Sequence, residues 1–531
     1  MPEPPTARTI DELVRSRAAH DGAKPVVIDP VSRMSYRELE MTTSDLAACF
    51  VEAGVGKGTR VGLIMPNSVR WVRVAIALTR IGAVLVPLST LLKAGELVSQ
   101  LKAASVQFLV SVEEFRDHRY LDDLQSALKL RVFGDEPLQC PELPALRQVW
   151  TADRLAGAGA GERARAIAHA LTQTVTAADP LVIMFTSGSS GAPKGVIHAH
   201  GNALGAVQSG LAARCITSET RLYLPMPFFW VGGFGSGILS ALLAGATLVT
   251  EETPRPETTL RLLETERVTL FRGWPDQAEA LARHAKTIGA DLSALRPGSL
   301  EALLPPKQRA APGARATLFG MTEAFGPYCG YPADTDMPAT AWGSCGKPFP
   351  GMQVRIVDPD NGGPVPAGTV GMIQIRGPHT LRGICGRSRE DLFTADGSYP
   401  TGDLGYVDED GFLFYHGRSD DMFKVSGATV YPSEVERALR TIDGVQNAYV
   451  TNVSGAAGEQ VGAAVVCTSA LTAGQLIGSA RKLLSAFKVP TVWLLAESDD
   501  DVPRGVTGKV DIHRLREMLI QANRHGTRVQ G

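Results

Sequence analysis

Apolar and polar positions along this chain follow two rhythms. Residues 11–19 and 72–81 read as helices, while residues 61–66 (Val-Gly-Leu-Ile-Met-Pro) and 83–87 are short apolar runs that read as strands. Short buried runs separated by helical stretches predict βαβ units, and so a parallel or mixed sheet with helices on both faces. Residues 156–161 (Ala-Gly-Ala-Gly-Ala-Gly) read as a flexible link. Residues 297–315, rich in Pro, Gly and Ala, read as a loop with one short helix.

The pattern changes near residue 418. Before it, residues 372–377 and 411–416 read as strands separated by turns. After it, Tyr431-Pro-Ser-Glu434 opens a helix over 431–440, with Pro and Ser at its start and apolar residues at helical spacing beyond. Strands over 447–452, 461–467 and 492–495 then surround a helix over 472–487. The predicted fold class is α/β. A large N-terminal domain of mixed β-sheets flanked by helices spans 1–418, and a small C-terminal α+β domain spans 419–531.

Composition narrows the function. The 531 residues carry 53 Lys+Arg against 55 Asp+Glu, a formal charge of −2, which removes a general drive towards nucleic acid or anionic membrane. An apolar content of 44% suffices for a sizeable core. The uncharged run 228–250 is long enough to span a bilayer, yet it follows Pro225 and Pro227 and is full of Gly, Ser, Ala and Thr. It reads as a buried core helix. The seven cysteines are scattered and form no C-x-x-C pair, which argues against a disulfide framework or a Cys-built metal site and predicts a reducing, cytoplasmic setting. The N-terminus has acidic residues and no apolar stretch, so no signal peptide is expected.

The strongest chemical signal is Thr186-Ser-Gly-Ser-Ser-Gly-Ala-Pro-Lys194, between two apolar runs. Gly188 and Gly191 let backbone N–H groups converge on an anion. Thr186, Ser187, Ser189 and Ser190 add hydroxyl donors, and Lys194 supplies a point charge for phosphate. This is not a Walker A loop, which needs its Lys followed by Ser or Thr at a helix start. Here Pro193 precedes Lys194, Gly195 follows it, and Val196-Ile197 continue as a strand. A P-loop NTPase or kinase is therefore the remote alternative.

This loop is similar to the phosphate loop of the adenylate-forming superfamily of acyl-CoA synthetases, peptide-synthetase adenylation domains and firefly luciferase. Four more segments follow in that family's order: Phe319-Gly-Met-Thr-Glu323, Tyr399-Pro-Thr-Gly-Asp403, Gly417-Arg-Ser-Asp-Asp421 with Lys424-Val-Ser-Gly427, and Pro503-Arg-Gly-Val-Thr-Gly-Lys509. The resemblance implies that Phe319 lies against adenine, that Asp403 holds the ribose hydroxyls, and that Arg418 and Tyr415 complete the ATP site. It implies catalytic roles for Thr322, Glu323 and Lys509, with Lys509 over the acid carboxylate and the α-phosphate. It further implies a Mg²⁺ site at Glu323 and Thr186, a hinge at Asp420 turning a mobile small domain, and Gly427 beside the thiol tunnel. A carboxylate such as Glu323 suits Mg²⁺, which keeps phosphate oxygens and water as its other ligands. His198-Ala-His200 could suggest metal, but two histidines at this spacing without Cys or carboxylate company rarely form a site.

Two segments depart from the family. Pro227-Phe-Phe-Trp-Val-Gly-Gly-Phe234 takes the place of the acyl-pocket gate, with no Asp between 228 and 237 to hold an α-ammonium. Phe229, Trp230 and Gly233 thus predict an apolar, flat or short pocket and disfavour an amino acid. The family's Gly-Gly-Ala turn is replaced by Pro297-Gly-Ser-Leu-Glu-Ala-Leu-Leu-Pro305. The expected activity is conversion of a small carboxylic acid and MgATP to acyl-AMP and pyrophosphate, then transfer to coenzyme A. The alternative acceptors are a separate acyl carrier protein, or an amine or other nitrogen nucleophile. The short stretch after Lys509 predicts that the thiol arrives on another molecule.

Overall fold

Ser68 opens the helix Val69–Arg80 by accepting the Trp71 N–H at 3.2 Å, so this helix starts earlier than its apolar spacing suggests. Its Trp71 is fully buried and meets Phe228 and Phe234 edge-on, with centroids 5.3 and 5.9 Å away. The computed structural model describes residues 7–131, 138–151, 159–186, 194–273, 275–419, 421, 423–425, 428–455, 458–468, 471–484, 486–505 and 508–524. The predicted hinge Asp420, the tunnel glycine Gly427, residues 156–158 of the 156–161 link and the phosphate-loop residues Ser187, Gly188, Ser189, Ser190 and Gly191 lie outside them.

The chain forms two compact units: residues 1–354 with 375–399, and residues 355–374 with 400–531. Residue 418 thus lies inside the second unit rather than at its edge. In the first unit a seven-stranded sheet runs Gly383–Ile384, Lys194–Ala199, Pro180–Thr186, Val84–Pro87, Arg60–Ile64, Phe108–Ser111, Gln148–Thr151. From Pro180–Thr186 to the last strand all pairings are parallel, whereas Lys194–Ala199 runs antiparallel to both neighbours. The parallel strands are buried along almost their whole length, which explains their unbroken apolar character. A second sheet of five strands runs Leu270–Phe271, Arg221–Tyr223, Thr247–Val249, Pro25–Ile28, Arg33–Ser35.

The 228–250 stretch is not one core helix. A π-helix covers Gly232–Leu239, an α-helical turn covers Ser240–Ala244, Gly245 at φ 71° ends it, and Thr247–Val249 is a strand. The glycines permit close approach: a Cβ on Gly233 would lie 2.1 Å from the Pro227 carbonyl oxygen, and one on Gly235 would lie 3.1 Å from the Phe325 ring. Residues 297–315 hold two 3₁₀ turns, Glu301–Leu303 and Pro306–Gln308, in place of one short helix. Among the described residues no helix is long and apolar enough to cross a membrane.

Most of a four-stranded sheet (Gln353–Val357, Gly371–Arg376, Tyr399–Val407, Leu413–Arg418) belongs to the second unit. Beyond it, Val445–Gly455, Gly458–Cys467 and Val492–Ala496 form a three-stranded sheet, with helices Pro432–Arg440, Ala473–Leu483 and Ile512–Arg524. Its two faces hold separate apolar clusters, one around Val435, Leu476 and Trp493, the other around Leu515 and Leu519. This is the predicted α+β arrangement.

Two buried histidines follow the strand that starts at Lys194. His198 Nδ1 lies 2.7 Å from the Asn202 amide nitrogen, and its Nε2 lies 2.7 Å from the Thr322 carbonyl oxygen. An amide nitrogen only donates, so Nδ1 accepts and Nε2–H donates to Thr322. Burial pushes the pKa of His198 down to about 4, against a smaller opposing effect of the Thr322 bond. Burial does the same to His200, also to about 4. Below its ordinary pKa near 6.5 a histidine takes a proton in the unfolded chain that these two refuse while folded. Stability is therefore full above about pH 6.5 and falls as pH drops towards 4, by roughly 2 kcal/mol per histidine at pH 5. Urea midpoints at pH 7.5 and 5 test this: His198→Gln should flatten the parent's slope by about half of the two-histidine contribution. Equal slopes in the two proteins would mean that His198 is not held neutral.

Candidate active site

The phosphate-loop residues are bracketed by the strand pair that carries them. Thr186 ends Pro180–Thr186 and Lys194 opens Lys194–Ala199, and the two stand directly opposite. Gly195 is packed: a Cβ there would lie 3.0 Å from both Ile183 Cγ2 and Cys385 Sγ. On the other side of Lys194–Ala199, Gly383–Ile384 pairs antiparallel, with the Arg382 N–H donating to the Ile197 carbonyl at 2.9 Å.

Thr322 and Glu323 sit on the turn of a tight hairpin. Phe319–Met321 runs antiparallel to Gly326–Gly330, and a Cβ on Gly320 would fall 2.2 Å from the Gly326 carbonyl oxygen, so the strands close only over glycine. The turn ends through Phe325 at φ 54° and Gly326 at φ 115°, both left-handed. Three contacts fix it. His198 holds the Thr322 carbonyl, the Leu381 N–H donates to the Glu323 carbonyl at 2.7 Å, and the Tyr399 hydroxyl donates to Glu323 Oε1 at 3.3 Å. The hairpin, the return strand of the phosphate loop and the 381–384 segment are thereby joined, which brings Thr186, Lys194, Thr322 and Glu323 onto one connected frame. Phe319 is half-buried and meets Tyr328 edge-on at 5.5 Å, an aromatic face of the type that stacks on a base.

The aromatic segment before the π-helix divides sharply by burial. Phe228 and Phe229 are buried, whereas Trp230 is half-buried, edge-on to Phe229 with centroids 5.7 Å apart. The Trp230 N–H donates to the Pro227 carbonyl at 3.0 Å, and its own carbonyl accepts from Phe234 at 2.9 Å, so this ring is presented from a fixed turn. Gly233 is set by its approach to Pro227 rather than by space beside it.

The remaining residues stand on the second unit. Asp403 and Arg418 face each other across adjacent strands, with Arg418 Nη1 3.2 Å from Asp403 Oδ1 and donating to the Thr401 carbonyl at 2.9 Å. Thr401 Oγ1 accepts from the Asp403 N–H at 3.0 Å and donates to the Ile373 carbonyl at 2.8 Å. Gly402, at φ 75°, turns the chain between Thr401 and Asp403. Tyr415 lies on the same strand as Arg418, opposite Gly405. Lys509 is exposed on a separate turn of this unit, between Arg504 and Val510, which form a bridge. Among the described residues no group of three or more His, Cys, Asp or Glu could hold a metal.

Three anchoring side chains went unread in the sequence. Tyr399 opens the same motif as Asp403 but shows no sign of reaching back to Glu323. His198 and Asn202 carry no signal of their partner, since Thr322 lies 124 residues from His198.

The family model described as AMP-binding enzyme matches residues 14–385. The chain is 32% identical to the (7a-methyl-1,5-dioxo-octahydro-1H-inden-4-yl)propanoyl:CoA ligase of Mycobacterium tuberculosis, over 96% of this chain and 98% of that protein. It is 31% identical to the feruloyl-CoA synthase of an Amycolatopsis species, over 90% of this chain and 92% of that one. Its fold is similar to the crystal structure of ATP-bound MatB from Rhodopseudomonas palustris, with a TM-score of 0.77, 24% identity and coverage of 97% and 99% of the two chains. The match spans both the hairpin of Glu323 and the phosphate-loop strands, and the two relatives extend over nearly the whole length. The chain belongs to the AMP-binding enzyme family and is an AMP-forming acid–thiol ligase of the acyl-CoA synthetase type.

Proposed function

We propose that this ligase activates a short, ring-bearing carboxylic acid that lacks an α-ammonium group and passes it to coenzyme A. The half-buried Trp230 on its fixed turn carries the reading of the acid. A broad apolar face suits a flat or cyclic acyl group, and no carboxylate between 228 and 237 offers an ammonium a partner. Two relatives are named for cyclic acyl groups, which supports the same class.

In the first step a carboxylate oxygen of the acid attacks the α-phosphorus of ATP. A new O–P bond forms, the bond from the α-phosphorus to the α,β-bridging oxygen breaks, and pyrophosphate leaves with that electron pair. Anions meet in this step, so donors and cations aimed at the developing charge lower its barrier most. Lys194 and the hydroxyls of Thr186, Ser187, Ser189 and Ser190, with the backbone at Gly188 and Gly191, hold the β- and γ-phosphates. Phe319 stacks on adenine, and Asp403 accepts from the ribose hydroxyls, its carboxylate oriented by Arg418 and its backbone N–H held by Thr401. Tyr415 lines the ribose side. Glu323, held by the Tyr399 hydroxyl, would ligate Mg²⁺ together with a Thr186 oxygen, and the ion would neutralise phosphate charge. Thr322 faces the α-phosphate, and Lys509 approaches the acid carboxylate and the α-phosphate. In the second step the coenzyme A sulfur attacks the acyl carbon, AMP departs, and the thiol proton passes to solvent. Asp420 is the hinge by which residues 419–531 exchange between the two steps, and Gly427 leaves room for the pantetheine arm.

Lys509→Ala should slow acid-dependent pyrophosphate release by at least ~10²-fold, the scale for one well-placed transition-state charge contact. Supplied acyl-AMP should still react with coenzyme A at near the parent rate. Equal losses in both steps would sink the two-orientation assignment, and ADP in place of AMP as product would overturn the chemistry.

Trp230→Ala tests the pocket. It should shift kcat/KM towards bulkier acids by roughly 10–200-fold per methylene-sized step of opened space. A core aromatic would instead cost about 3–5 kcal/mol of stability and leave the ranking of acids alone. Kinetics over an aromatic and chain-length acid series, with thermal melts of the same preparations, separates these outcomes.

A further inference from the structure

Lys509 stands on a turn whose fixing points lie outside every motif but one. The Gly505 N–H donates to the Lys509 carbonyl at 2.8 Å, and the Gly508 N–H donates to the Gly505 carbonyl at 2.9 Å. Gly508 is left-handed at φ 75°, and a Cβ there would meet nothing within 4 Å, so its glycine serves the backbone alone. Arg504 reaches across the turn, with Nη1 donating to the Gly508 carbonyl at 2.9 Å. The same guanidinium pairs with Asp499 and lies 3.2 Å from the Tyr449 hydroxyl through Nη2. Asp499 in turn accepts from the Tyr449 hydroxyl at 2.5 Å and from the Asn447 amide at 2.8 Å. Asn447 and Tyr449 are two apart on Val445–Gly455, the long strand of the three-stranded sheet, and so project from one face of it. A continuous chain of contacts thus runs from a rigid strand through Asp499 and Arg504 to the carbonyl immediately before Lys509.

Magnitudes show what such a chain can be for. Asp499 and Arg504 are 35% and 38% exposed, and an ion pair that open to water adds at most about 1 kcal/mol to stability. Geometry is a different matter, since misplacing a catalytic group by about 1 Å can cost ~10²-fold in rate. Burial works against the charge on Asp499, but the hydrogen bonds from Tyr449, Asn447 and Arg504 outweigh it and hold its pKa below the ordinary value. The carboxylate therefore stays ionised through the working pH range, and the Arg504 contact with it.

We propose that Asp499, Tyr449 and Arg504 are positioning residues that aim Lys509, acting on the adenylation step alone. The proposal rests on the role given above to Lys509. None of the three is required to touch substrate. Their effect passes through the Gly508 carbonyl, to which Arg504 is the direct donor, with Asp499 and Tyr449 fixing Arg504.

The test combines half-reactions with a double-mutant cycle on the full-length enzyme. Asp499→Ala should slow acid-dependent pyrophosphate release by about tenfold or more, while supplied acyl-AMP reacts with coenzyme A at near the parent rate and the melting temperature shifts little. Tyr449→Phe, which removes only the hydroxyl, should give a smaller loss in the same step. In the background of Lys509→Ala, adding Asp499→Ala should cause no further loss, because the group it aims is already gone. A multiplicative loss in the double variant, an equal loss in both half-reactions, or an unchanged rate for Asp499→Ala would overturn the brace. A slow Lys509→Ala beside a fast Asp499→Ala defeats the brace alone. A Lys509→Ala protein at the parent rate removes the lysine's own role, and the brace with it.

Discussion

A neutral imidazole fixes the turn that carries Thr322 and Glu323 in the first unit. His198 is fully buried, and its two ring nitrogens meet a donor on one side and an acceptor on the other. Charged, it would turn a second N–H against the Asn202 amide, which itself only donates. The low pKa set by burial and the tautomer set by Asn202 therefore reinforce each other. Since Nδ1 must accept, Nε2 must donate, and the carbonyl it finds is that of Thr322. Glu323 is the next residue, so the position of its carboxylate inherits the stiffness of a buried hydrogen bond. Leu381 and Tyr399 complete the fixing from another segment of the same unit. In the role proposed for Glu323, a carboxylate ordered in this way would need little reorganisation when a divalent cation and its phosphates bind.

What the sequence reveals and what it conceals divides along the range of the forces involved. Short apolar runs between helical stretches gave the parallel strands correctly, because strands buried on both faces leave a purely local mark. The ordered motifs pointed to the family for the same reason, since each is a local loop with its own chemistry. The π-helix over Gly232–Leu239 left no such mark. Its four glycines have poor helix propensity, and tertiary fit accounts for them: a Cβ would crowd Met226 at Gly232, Pro227 at Gly233, Phe325 at Gly235 and Leu224 at Gly237. The partners of His198 and the reach of Tyr399 to Glu323 were equally hidden, as they join segments 124 and 76 residues apart. Compactness also divides the chain differently from composition. Residues 355–374 join the second unit because Gly371–Arg376 lies beside Tyr399–Val407 in its sheet, a pairing that no local pattern announces.

The functional groups also differ in how water treats them. Glu323 and Asp403 are both buried; Glu323 accepts from the Tyr399 hydroxyl and Asp403 from Arg418. Lys509 is exposed. A charge in bulk water contributes only about 1 kcal/mol at 4 Å, against roughly 4 kcal/mol at the effective dielectric of a protein surface pair. In the role proposed for it, the lysine would be worth little until it is desolvated beside the reacting anions. Part of that gain is consumed in ordering a long side chain and the turn beneath it. A turn already fixed from a strand through Asp499 and Arg504 has met the backbone share of that cost before substrate binds. On the proposal that Asp499 and Arg504 aim Lys509, this half-exposed network, with little value for stability, would act by lowering the entropic cost of the adenylation step.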